Sequence, residues 1–252
     1  MSFERINPCT RGLGLYRVAR WVNRNFINRS ELHAYRGDLK LYRQFIKPGS
    51  LCFDVGANYG AKSEVFLKLG AKVVAFEPQQ DCYQEMHARL GKNSRLITIQ
   101  AAVGSEPGTA TMHIEKLRTA SSLIQNWQGE IEGAIEVPVT TLDEVIAEHG
   151  VPDFCKIDVE GFELEVLQGL SHRLPALSLE YHLRDAGKQK VVNCLEYLEQ
   201  FGKLLLNIVP AKSSELACPT WQEKSEFLEF FFNSVPNMTG FDYGDIYVKI
   251  EV

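Results

Sequence analysis

The sequence predicts an α/β fold, an open and mostly parallel sheet wound on both faces by helices, and three observations predict it. Leu51-Cys52-Phe53-Asp54-Val55 is a short apolar run that enters a glycine turn, Gly56-Ala57-Asn58-Tyr59-Gly60, and then a segment at helical spacing from Glu64 to Leu69. The same order returns at Phe154-Cys155-Lys156-Ile157, Asp158-Val159-Glu160-Gly161 and the leucines Leu164, Leu167 and Leu170. Apolar strands alternate with helical segments through most of the chain, the rhythm of βα units. With 252 residues, 45% of them hydrophobic, the chain suits one such domain with additions.

Taken in order, residues 12–28 place Leu15, Val18, Ala19, Val22 and Phe26 on one helical face and Arg17, Arg20 and Arg24 elsewhere, an amphipathic basic helix. A second helix over about 31–46 delivers the chain to the first strand, so residues 1–47 read as an N-terminal helical cap on a domain spanning 48–252. Lys72 to Phe76 is the second strand, residues 79–90 a helix and Leu96 to Gln100 the third strand. Residues 108–140 break the rhythm: Thr109 to Ile114 and Ile135 to Val139 alternate like an antiparallel pair, an inserted hairpin whose polar tip contains Trp127. Thr141-Leu142-Asp143-Glu144 has the spacing of a capping box and opens a helix that stops at Gly150. After the second strand, turn, helix unit come a fifth strand at Ala176 to His182, a helix over 187–201 and a sixth strand at Lys203 to Val209. Residues 211–244, punctuated by Pro219, Pro236 and Gly240, read as an irregular lid segment, although Phe227, Phe230 and Phe231 stand at helical spacing. Asp245 to Val252 alternates as the seventh and last strand, expected antiparallel.

The two turns carry the chemistry. In Asp-x-Gly-x-x-x-Gly the first position separates ligands: Asp54 beside the turn repels a pyrophosphate but helps hold an ammonium, which disfavours a nicotinamide dinucleotide and favours S-adenosylmethionine. Gly56 and Gly60 let the backbone bend and a ligand approach, while Asn58 either turns to the ligand's carboxylate or caps the helix. Glu77, followed by Pro78, ends the second strand, where a carboxylate offers two acceptor oxygens to a ribose. Ala101 and Ala102 are small enough to lie against a flat adenine. In a doubly wound sheet the fourth strand lies beside the first, so Asp158 and Glu160 face the cofactor turn. Glu180 and His182 alternate onto one face of the fifth strand and reach the same edge. His182, whose unperturbed pKa suits proton removal around neutrality, is the first candidate for a base at this edge and Asp158 the second. Asp158, Glu160, Glu180 and His182 form an alternative ligand set for a hard divalent ion.

The net charge of −5 conceals an asymmetry: residues 1–48 hold ten Lys or Arg against three Asp or Glu, and the remainder holds 17 against 29. An acidic main body disfavours nucleic acid. The basic helix packs over the core or substrate mouth, contacts an anionic substrate, or touches a membrane surface weakly. No apolar run approaches the roughly 20 residues of a membrane span and the opening residues lack a signal-peptide core, so a cytoplasmic protein is expected. The six cysteines include no Cys-x-x-Cys and read as reduced packing residues.

With these residues in place the chain resembles the FkbM family of S-adenosylmethionine-dependent methyltransferases over about residues 48–182. The matches are Asp54-Val55-Gly56-Ala57-Asn58-Tyr59-Gly60, Ala75-Phe76-Glu77-Pro78, Thr140-Thr141-Leu142-Asp143, Lys156-Ile157-Asp158-Val159-Glu160-Gly161 and Glu180-Tyr181-His182, in the family's order. The resemblance implies a Rossmann-like class I methyltransferase sheet and a small-molecule acceptor, usually a hydroxyl on a sugar or polyketide-type product. A non-catalytic module that keeps this fold for binding is the alternative.

Overall fold

The computed structural model describes residues 29–115, 122–123, 131–183, 187–211 and 213–251. The expected helix over 12–28 with Arg17, Arg20 and Arg24, together with Cys9 and Trp127, lies outside the described residues. The described chain begins with α1 (Arg29–Tyr42) and continues through β1 (Leu51–Val55), α2 (Ala61–Leu69), β2 (Lys72–Phe76), α3 (Gln80–Leu90) and β3 (Leu96–Ile99). An inserted region follows: β4 (Ala102–Val103), β5 (Gly108–Glu115) and β6 (Ile131–Thr140). Next come α4 (Leu142–His149), β7 (Phe154–Ile157), α5 (Glu163–Gln168), β8 (Ala176–His182), α6 (Gly187–Leu198) and β9 (Lys203–Pro210). The last elements are β10 (Gln222–Glu223), α7 (Lys224–Asn233) and β11 (Tyr243–Glu251).

The main sheet runs β10-β9-β11-β8-β7-β1-β2-β3. Strands β3, β2, β1, β7 and β8 pair in parallel, and β11 enters antiparallel between β8 and β9. The seven expected strands are all present in that arrangement. The eighth, β10, is a two-residue edge strand pairing with β9, too short to leave a pattern in the sequence. The chain order reverses between β1 and β7, so the loops after these strands meet at one edge, the place where open α/β sheets leave a crevice.

Strand β1 is central and covered on both faces, which is why it reads as continuously apolar rather than alternating. One face packs under α1, α2 and α3, with Tyr42, Phe66, Phe154 and Tyr247 in edge and stacked contacts. The opposite face packs under α4, α5, α6 and α7. Helix α4 starts on a complete capping box between Thr141 and Glu144, as its spacing predicts. Among the described residues no helix is long and apolar enough to cross a membrane. The five described cysteines are free and buried, consistent with packing roles.

Two expectations change. The segment 211–244 is not irregular throughout: residues 224–233 form α7, and Phe227 and Phe231, one turn apart, are fully buried with rings stacked at 5.9 Å. Their spacing pays out as a helix because the prolines fall outside it. The inserted hairpin is also more than a hairpin, since β4 pairs with β6 and makes a second, three-stranded sheet.

Candidate functional site

A cavity of about 200 Å³ opens at the edge where the β1–α2 and β7–α5 loops meet. The β1–α2 turn forms its floor. Gly56 has φ 76°, and a Cβ there would overlap the carbonyl oxygen of Asp158, so only glycine lets the two turns cross this closely. The amides of Gly56 and Ala57 both donate to the Phe76 carbonyl, at 3.1 and 2.8 Å, which seats the turn against the end of β2. Asn58, at φ 50°, accepts the Tyr59 amide on its own side-chain oxygen at 2.8 Å and lines the cavity.

Glu77 stands at one end of the wall, 3% exposed. Its two carboxylate oxygens accept the backbone amides of Asn58 and Gln79, each at 2.8 Å. Burial pushes its pKa up to about 7 against the opposing pull of those amides. Beside it Pro78, Ala101 and Ala102 make a small-residue stretch of wall.

The other end is acidic. Asp158, Glu160 and Glu180 line it, and no Lys or Arg is among the wall residues described. Lys156, 3% exposed in β7, donates to Asp158 Oδ2 at 2.6 Å from behind the wall. Burial opposes charge on Lys156, yet the carboxylates of Asp158, Asp54 and Asp245 outweigh it and hold it above the ordinary lysine value. Burial likewise raises Asp158, but Lys156 wins and keeps it ionised below the usual range. Glu180 goes the other way: burial, then the charges of Asp158 and Glu160, raise it well above the usual carboxylate value. His182 Nε2 lies 3.3 Å from Glu180 Oε2 and 3.9 Å from Glu160 Oε2, and its ring stacks on Tyr243 at 5.8 Å.

Gly56, Asn58, Glu77, Pro78, Ala101, Ala102, Asp158, Glu160 and Glu180 therefore all face one cavity. Three expected residues do not. Asp54 is fully buried and off the wall, because its side chain points to the face covered by α2; there Ser63 donates to Oδ2 at 2.5 Å, and Oδ1 is buried with no hydrogen-bond partner among the described residues. The carboxylate that lines the cavity at this turn is therefore Asp158 and not Asp54. Gly60 is also off the wall: it caps α2 at φ 74°, where a Cβ would come 2.7 Å from Met86 Cγ of α3, so its demand is packing between helices. His182 stands behind Glu160 and Glu180 rather than on the wall. The four-residue metal set reduces to three, since the ligand atoms of Glu160, Glu180 and His182 lie within 4.8 Å of one another while Asp158 turns to Lys156.

The sequence reading missed one whole side of the cavity. Met112, Ser122 and Leu123 come from the inserted region and Phe162 from the start of α5. The alternation of β5 marks Met112 as facing inward with Ile114, but nothing local says over which part of the sheet the hairpin folds.

Known proteins share parts of this sequence and fold. The sequence model described as the Methyltransferase FkbM domain matches residues 54–208. Hexuronic acid methyltransferase AglP of Haloferax volcanii is 26% identical over 157 residues, covering 59% of this chain and 61% of that protein. Methyltransferase sdnD of Sordaria araneosa is 30% identical over 153 residues, covering 46% of this chain and 59% of that protein. The chain thus spans about three fifths of the length of these relatives. Among solved structures, a TehB-like SAM-dependent methyltransferase from Corynebacterium glutamicum superposes with a TM-score of 0.48 at 12% identity, covering 97% of this chain and 100% of that one.

Proposed function

This chain belongs to the FkbM methyltransferase family, and on that premise we propose that it moves the methyl group of S-adenosylmethionine to a hydroxyl of a small sugar-like or natural-product-type acceptor. The observation that carries the reading is a cavity with a buried carboxylate, Glu77, at one end and three more, Asp158, Glu160 and Glu180, at the other. The residues fit that ligand. Each Glu77 oxygen spends one acceptor site on a backbone amide and keeps another for a ribose hydroxyl. Pro78, Ala101 and Ala102 give a flat ring a close, apolar wall. A cation-bearing ligand suits Asp158 and its acidic neighbours, where an anion would be repelled.

When bound, S-adenosylmethionine supplies a methyl carbon already activated by positive sulfur, so its departure needs no acid. What the chain must supply is position, exclusion of water and a destination for the hydroxyl's proton. Glu160 is the wall carboxylate backed by His182, which makes this pair the route for the proton, with the imidazole as its resting place. Asp158, held ionised by Lys156, is the poorer base and the better anchor. The Haloferax volcanii relative, a hexuronic acid methyltransferase, supports a sugar acceptor. The convergence of Glu160, Glu180 and His182 also supports a second reading, in which these three would hold a divalent ion that would acidify the acceptor hydroxyl.

The test is calorimetry with S-adenosylmethionine followed by transfer of labelled methyl to a panel of methyl hexosides and hexuronosides. His182→Ala should keep cofactor affinity within about threefold while turnover falls by roughly 100-fold or more, the scale of losing a general base. Near-normal turnover would remove His182. Activity lost in chelator and restored by magnesium would select the metal reading, and absence of cofactor binding would overturn both.

A further inference from the structure

We infer that Glu163 is a positioning residue for the site proposed above: its buried carboxylate takes the backbone amides of the β7–α5 loop and so fixes where Asp158 and Glu160 stand on the cavity wall. The inference rests on the cavity reading, but its structural half can be tested without any ligand.

The loop runs against ordinary backbone preference. Glu160 sits at φ 56° and Gly161 at φ 93°, two successive left-handed residues of which the first carries a Cβ. Such a conformation persists only where the surroundings determine it. Here Glu163 Oε1 accepts the Val159 amide at 3.2 Å and the Gly161 amide at 3.1 Å, bracketing Glu160 from below. The outward carbonyls are tied too: Ser122 Oγ donates to the Glu160 carbonyl at 2.8 Å and Lys190 Nζ to that of Gly161 at 2.9 Å. Glu163 differs from these because one carboxyl oxygen serves both amides, accepting them whether the group is ionised or neutral. It is 6% exposed and absent from the cavity wall; besides holding the loop, its charge is among those that raise Glu180. An acid in the first turn of α5 also suits the helix dipole. That role would leave the side chain extended into solvent; it does not explain a carboxylate folded back under two loop amides.

Three variants of the full chain separate these roles, read by amide hydrogen exchange at Val159 and Gly161 without ligand and by calorimetry with S-adenosylmethionine. Glu163→Gln retains an oxygen that accepts both amides and should keep exchange and affinity within about threefold of the parent. Glu163→Ala removes the acceptor, and both amides should exchange about tenfold faster or more, with cofactor binding weakened by a similar factor. Glu163→Asp keeps the charge beside α5 but is one methylene too short to reach the amides, so it should behave like Glu163→Ala. It also keeps the proposal falsifiable if the alanine variant fails to fold. Parent-like exchange in Glu163→Asp would overturn the proposal in favour of the dipole role, as would a glutamine variant no better than alanine. If the parent chain fails to bind S-adenosylmethionine, the cavity reading falls, while the exchange data still decide what Glu163 does to the loop.

Discussion

Glu77 shows how much one residue's surroundings decide. A carboxylate 3% exposed would ordinarily be paired with a cation, but its partners are two backbone amides, and burial still lifts its pKa to about 7. In the proposed reading ribose hydroxyls would add donors to the same oxygens, which each accept one amide. Glu77→Gln replaces one oxygen by an amide group that faces an N–H donor instead of accepting it. Cofactor affinity should fall by roughly ten- to a hundredfold, the value of a lost charged hydrogen bond plus a misdirected donor, and calorimetry checks it; a dissociation constant within twofold of the parent would remove Glu77 from the cofactor site. Glu77 and Asp158 were legible in the sequence because each ends an apolar strand that runs into a turn, and the strand ends of such a sheet share one edge. Asp54 was expected beside the ligand, and its absence from the cavity wall has a related reason. Its position in the strand is plain, but which face its side chain takes, and that Ser63 waits for it there, follows from the covering helix and not from spacing.

Two turns make the site, and the contact between them is the element-scale feature on which it depends. Gly56 lies against the backbone of Asp158, so the β1–α2 and β7–α5 loops are built as one unit. Gly56→Ala asks a Cβ to occupy the place of the Asp158 carbonyl oxygen at a φ of 76°. The turns must part, and destabilisation of at least about 2 kcal/mol is expected, from left-handed strain plus the displaced loop. Thermal melting measures that loss, and calorimetry should find cofactor binding abolished at ordinary concentrations; a stable variant that binds normally would mean that the loops do not need each other. Both turns could be read from glycine spacing. The inserted sheet that supplies Met112, Ser122 and Leu123 could be read only as a hairpin, because its docking is set by long-range contacts such as that of Ser122 with the Glu160 carbonyl. Helix α7 was hidden differently, its phenylalanine spacing visible but overruled by the prolines on either side of it.

At the scale of the whole molecule, the buried acids make stability depend on pH in an unusual direction. Glu77 and Glu163 are each pushed up to about 7, and Asp245 to about 6, in every case chiefly by burial. Unfolded, such groups titrate near 4.5 for Glu and 3.8 for Asp. Between those values and neutrality the folded chain therefore holds more protons than the unfolded one, and stability must fall as pH rises. Each group is fully favourable below its unfolded value and loses that advantage as pH climbs through its folded one. Asp143, lowered by the Ser171 amide and His172, has the opposite slope, but only near and below its ordinary value, outside this window. Without ligand the chain should thus melt at higher temperature at pH 5.5 than at pH 8, with at most about 3 kcal/mol from each glutamate. In the proposed reading the ribose hydroxyls donate to Glu77 and favour its ionised form, so saturating S-adenosylmethionine should release protons near pH 6.5 and flatten the profile. Glu77→Gln should remove that share of the slope in the free protein and abolish the proton release. Melting temperatures that rise from pH 5.5 to pH 8 in the free chain would show that burial does not hold Glu77, Glu163 and Asp245 protonated in the fold, and the proton release expected of Glu77 would go with them.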